Sequence, residues 1–102
     1  MTEAWSHWVR EFAGLPGDRL VDPSALAAAA VAAAAAIGLA PHGPPMARSG
    51  PEGVDVVLAG HGGHIALHAI PARGACLADV ATRQPQAAAR AGEILARRLG
   101  AL

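Results

Sequence analysis

The chain has no lysine and no tyrosine, and its 102 residues include one phenylalanine, two tryptophans and one cysteine. Each scarcity closes a route. Without lysine there is no side-chain amine to form a Schiff base with pyridoxal phosphate. Cys76 has no second cysteine to pair with, which excludes an intrachain disulfide and suits a reducing cytoplasm. Eight arginines face eight acids, so net charge is zero with neutral histidine. No basic stripe with interleaved aromatics exists, and nucleic acid is not an expected partner. No apolar run is long enough to span a bilayer. Residues 25–40 read ALAAAAVAAAAAIGLA, whereas a spanning helix needs roughly 20 residues and stronger hydrophobes than alanine. The start, MTEAWSHWVREF, carries acids and histidine in place of a basic, then apolar, leader. A soluble cytoplasmic protein is the expectation.

What is present is alanine, glycine and a few large aliphatics. The hydrophobic fraction is 53%, but alanine buries little area, so one domain spanning residues 1–102 would have a thin core. Covering a sheet face with a second copy, or with a related chain, is the expected remedy. The pattern reads strand, helix, three or four strands, helix. His7 to Phe12 alternates, with Trp8, Arg10 and Phe12 on one face and His7, Val9 and Glu11 on the other. Asp22-Pro23-Ser24 is a helix start, and Gly38 a helix stop. Leu26, Ala30, Ala33 and Ile37 form its buried stripe. Met46 to Ser49 follows three prolines and is an edge strand at best. Val54 to Ala59 and His64 to Ile70 are strands around the Gly60-His61-Gly62-Gly63 turn. Pro71 to Gly74 turns the chain, Gly74 to Thr82 is another strand, and Pro85 opens the last helix. This is an α+β chain: an antiparallel sheet with two helices on one face.

The segment GVDVVLAGHGGHIALHAIPARGACLADVAT, Gly53 to Thr82, resembles the core of the small prokaryotic S-adenosylmethionine decarboxylases. Gly53, Val54, Val57, His64, Ile65, His68, Pro71, Gly74, Asp79, Val80 and Thr82 fall in register with that family without a gap. His7, Val9, Glu11 and Phe12 fit its first strand. The resemblance implies the same α+β sandwich. It also implies a self-made pyruvoyl cofactor, cut from the chain at a Glu-Ser pair. The aligned residues are Gly62 and Gly63. Glycine has no hydroxyl, so this chain is expected to form no pyruvoyl group and to carry no cofactor. The family's proton-donating cysteine aligns with Arg83, a poor acid. A serine that assists processing aligns with Asp55. The family's aromatic substrate platform aligns with Met46 and Ser49.

Several polar residues remain. His68 aligns with the family's processing histidine, and His64 shares its strand face. With Asp55 they are the candidate catalytic groups. Either histidine could be a general base, or a polar side chain at the rim of a pocket or interface. Glu11, Phe12, Arg48 and Arg83 are the candidate ligand contacts. Of these, Phe12 reads better as a plain core residue. No metal is expected: residues four apart on a strand lie about 13 Å from each other, too far for His64 and His68 to share an ion. His61, in the flexible turn, could complete a site across a dimer.

Two functions follow. One is a non-decarboxylating partner or regulatory subunit. The other is a pyruvoyl-free enzyme acting on S-adenosylmethionine or a similar small molecule. An unrelated α+β domain is the third possibility.

Overall fold

The computed structural model describes residues 5–101. It holds one five-stranded antiparallel sheet in the order β1-β5-β4-β3-β2. The strands are β1 (Ser6–Phe12), β2 (Met46–Gly50), β3 (Gly53–Gly60), β4 (Gly63–Ile70) and β5 (Ala75–Thr82). Three helices join them: α1 (Gly17–Leu20), α2 (Pro23–Ala36) and α3 (Ala88–Leu99). The expected α+β architecture is what forms, with α2 and α3 packed on one sheet face and on each other. No helix among the described residues is long and apolar enough to cross a membrane.

Helix α2 is made by alanine propensity and closed by two local devices. At its start the Asp22 carboxylate accepts a hydrogen bond from the Ser24 amide at 3.0 Å, with Pro23 in the first turn. At its end Gly38 adopts φ +68°, and the Leu39 amide returns to the Ala34 carbonyl at 2.9 Å. Leu26, Ala29, Ala30, Ala33, Ala34 and Ile37 are buried. Their small size lets the helix lie close to Val54, Val56, Leu58, Ile65 and Leu67, whose alternate partners face away.

Helix α3 starts at Ala88, not at Pro85. Gln86 takes a left-handed φ of +59°, which breaks the helical path after the proline. The stripe Ala88, Ala91, Leu95 and Leu99 is buried as expected, joined by Gly92 and Ala96. Gly92 lies beneath Trp8: a Cβ there would stand 2.4 Å from Trp8 Cε2. The short helix α1 has no counterpart in the sequence reading, because four residues carry almost no periodic signal. The turn after β4 is a 3₁₀ turn, Pro71–Arg73, ended by Gly74 at φ +60°.

Candidate functional site

The antiparallel register builds rows of side chains across the sheet face that the helices leave open. One row crosses all five strands. Glu11 pairs with Leu77, Leu77 with His68, His68 with Asp55, and Asp55 with Arg48. Four residues singled out from sequence therefore sit on one line, spaced by about 4.8 Å per strand. Phe12 does not join them. It points to the helix side, is 2% exposed, and packs in the core near Trp8, with the Arg10 guanidinium 4.7 Å from its ring centre. One step of strand parity separates Glu11 on the open face from Phe12 in the core.

Asp55 and His68 form a bonded pair, with His68 Nδ1 2.9 Å from Asp55 Oδ1. An ionised carboxylate can only accept, so the imidazole donates its Nδ1–H. In a neutral ring that tautomer leaves the Nε2 lone pair free, the form of a general base or hydrogen-bond acceptor. Both residues line an open depression of about 770 Å³ at this end of the sheet, with Arg48, Glu52, Ile70 and Arg73 around it. Two guanidiniums and two carboxylates in one wall can hold a zwitterion or an anion beside a cation.

His64 belongs to a different group. Asp79 Oδ1 lies 2.9 Å from His7 Nε2 and 3.7 Å from His64 Nε2. Asp79 fits the family core motif, but its role as the acid between two histidines was not foreseen from sequence. Alternation along the last strand places it opposite buried Ala78 and Val80, which signals an exposed acid. Its histidine neighbours depend on which strands pair.

The glycine turn lies at the far end of the β3–β4 hairpin. His61 and Gly62 form a two-residue loop closed by the pair Gly60 and Gly63. Gly62 has φ +86°, a conformation glycine adopts at little cost. Gly63 has no room for a side chain: a Cβ would stand 2.3 Å from the Ala81 carbonyl oxygen and 3.1 Å from Thr82 Cα. The Arg83 amide donates to the Gly62 carbonyl at 2.9 Å. The Arg83 guanidinium lies 6.0 Å from the centre of the Trp5 ring. Arg83, His61 and Gly62 line a separate cavity of about 120 Å³. Five strand residues, roughly 16 Å, separate Gly63 from His68. Within one chain, the turn with Arg83 and the row with Asp55 and His68 are two places, not one site.

Cys76 is buried in the core and does not substitute for a proton donor at Arg83. Desolvation pushes its thiol up to about 11, partly offset by a backbone hydrogen bond involving His68. It remains a neutral thiol at pH 7, packed as a small hydrophobe. The exposed large hydrophobes Val9, Met46, Val57, Ile70 and Leu77 share the open face with the polar rows.

A search of curated proteins finds no match. Among solved structures, the adenosylmethionine decarboxylase from Aquifex aeolicus VF5 superposes with a TM-score of 0.85 at 18% identity. The match covers 95% of this chain and 81% of that one, and shows that the two share a fold. The family model described as S-adenosylmethionine decarboxylase matches residues 6–102. With nearly its whole length matched, the chain belongs to the S-adenosylmethionine decarboxylase family.

Proposed function

We propose that this family member neither self-processes nor decarboxylates, and that it acts as a partner or regulatory subunit. The observation that carries this reading is the Gly62-Gly63 turn. It offers no hydroxyl to attack a carbonyl, and at Gly63 it leaves no space for a side chain that would bring one. Arg83 stands where the family has a proton-donating cysteine, and the one cysteine present is buried and neutral.

The open face supports the partner role. Val9, Val57, Leu77, Ile70 and Met46 lie there, each more than a third exposed. Apolar side chains concentrated on one face of a small sheet favour packing against a second sheet. The expected occupant is another chain of this fold, either a second copy or an active relative. Such pairing, with the two sheets running in opposite senses, is also what could bring one chain's His68 row near the other's glycine turn.

A second reading has its own observation. The Asp55–His68 pair, with Arg48 beside it, is a ready general base in a depression large enough for a small molecule. It favours a pyruvoyl-free activity on S-adenosylmethionine or a similar zwitterion.

Native and denaturing mass spectrometry, with and without S-adenosylmethionine, tests both. The expected result is a full-length chain that assembles in pairs and releases no carbon dioxide. A chain cleaved between residues 62 and 63 would overturn the first reading. One molecule of S-adenosylmethionine bound per chain, and lost in His68→Ala, would select the second.

A further inference from the structure

We propose that β1 is a self-pairing edge: two copies of this chain join their β1 strands antiparallel about Val9, so that two five-stranded sheets become one of ten strands. β1 is a margin of the sheet. It pairs with β5 on one side, and no strand lies beyond it among the described residues. It therefore presents a row of backbone donors and acceptors along its seven residues. Nothing in the strand blunts that edge. SHWVREF holds no proline, lysine or glycine, and no bulge interrupts its register with β5. The opposite margin, β2, is five residues long and stands between prolines. One edge is guarded and the other is open.

The residues of β1 point to its occupant. Reversed about Val9, the strand sets Val9 against Val9, His7 against Glu11 and Trp8 against Arg10. A residue-centred axis keeps every side chain on its own face, with His7, Val9 and Glu11 on the open side and Trp8 and Arg10 on the helix side. Both polar pairs are complementary. As an imidazolium, His7 donates from both ring nitrogens, from Nε2 to Asp79 at 2.9 Å and from Nδ1 to the facing Glu11. The Arg10 guanidinium, 4.7 Å from the Phe12 ring centre of its own chain, meets the Trp8 indole of the other copy. Arg10 and Glu11 are exposed, and neither has an ion-pair partner in its own chain among the described residues. Because the axis is two-fold, each pair occurs twice. Other registers are poorer. An axis at Arg10 opposes two guanidiniums, and an axis at Trp8 takes Glu11 away from His7.

Helix α3 lies over β1 and β5. In the paired sheet the two α3 helices stand side by side about 10 Å apart, the spacing of packed helices. The proline-flanked β2 forms both outer margins, so the sheet grows no further in either direction. This contact uses a different surface from the open face, and it does not depend on how the glycine turn behaves.

The test is sedimentation velocity of the full chain carrying Val57→Glu, which puts a charge on the open face in β3, away from β1, and removes pairing through that face. The expected species is still a pair. Adding Glu11→Arg sets a positive charge opposite His7 on both sides of the axis and should weaken the pair about tenfold. Val9→Cys should close a disulfide between copies under mild oxidation, since facing residues stand about 4.5–5.5 Å apart at Cα. Ser6→Cys should not, because an offset of six residues holds it roughly 20 Å from its copy. Cys76 is buried and does not interfere. Circular dichroism of each variant separates loss of pairing from loss of the fold. A folded Val57→Glu chain that sediments as a monomer overturns the proposal. So does a pair indifferent to Glu11→Arg, or cross-linking at Ser6 equal to that at Val9. A pair that survives Val57→Glu and is lost with Glu11→Arg upholds the edge, whatever becomes of the open-face reading.

Discussion

Replacing Gly63 with serine restores the hydroxyl that the family's self-cleavage requires, yet the structure argues that it restores nothing else. The new Cβ would stand 2.3 Å from the Ala81 carbonyl oxygen and 3.3 Å from the Ala81 carbon. Real Cβ atoms do not approach backbone that closely, so β4 and β5 must part at their first register pair, Gly63 with Thr82. Overpacking of this kind costs about 1–3 kcal/mol. Displacing the turn also weakens the hydrogen bond from the Arg83 amide to the Gly62 carbonyl, worth about 1 kcal/mol. The sum is about 2–4 kcal/mol. For a domain near 100 residues each kcal/mol moves Tm by roughly 4–8 °C, so the variant should melt roughly 8–32 °C lower. Thermal denaturation gives the stability, and intact mass gives the chain. The expected product is an uncleaved, destabilised protein. A Gly63→Ser chain as stable as the parent would refute the steric argument. A chain split before residue 63, with a blocked new terminus, would refute the conclusion drawn from it.

Gly92→Ala should destabilise the fold by up to about 2 kcal/mol, measured by urea denaturation, because overpacking against Trp8 of about 1–3 kcal/mol is only partly offset by a gain in helix propensity of about 1 kcal/mol. Stability should fall as pH rises from about 9 toward 11. The unfolded Cys76 thiol ionises there while the folded one, held near 11, does not, and the loss approaches about 2–3 kcal/mol. Below pH 9 this group contributes no slope, and a Cys76→Ala variant should lack its share of the alkaline decline. Leu77→Glu places a charge on the open face; sedimentation should show pairing through that face lost, with an unchanged circular dichroism spectrum. Asp55→Asn removes an exposed carboxylate partner of His68, and should shift melting by less than about 0.5–1 kcal/mol equivalent while abolishing any ligand binding in the adjoining depression.

The fold was legible because alternation and helix punctuation are local signals. Asp22-Pro23 and Gly38 bracket α2 where the sequence places it. Val54, Val56 and Leu58 bury on one face, while their neighbours do not. The open-face row was only half legible. Parity along each strand selects Glu11, Asp55 and His68 one strand at a time, but no local rule says that β1 pairs with β5 or that Arg48 stands opposite Asp55. Long-range pairing also hid Asp79, which is unremarkable in its own strand and sits between two histidines only once β5 lies between β1 and β4. Phe12 shows the reverse case. It was a candidate ligand contact by its place beside Glu11 and a core residue by its type, and burial of its ring against the helices decides for the core. The helix start at Ala88 was displaced by a single left-handed residue, Gln86, that carries no sequence mark of its own.

The short strand β2 has a bearing on how this protein behaves in a crowded solution. It contributes five residues, all exposed, and prolines stand on either side of it at positions 44, 45 and 51. Proline carries no amide hydrogen, so an incoming strand would find a ladder that ends almost as it begins. Lateral growth of the sheet from that margin is therefore discouraged, and with it the runaway stacking of copies into fibrils. The broad face and the opposite edge strand, β1, are left as the surfaces on which another chain can pack.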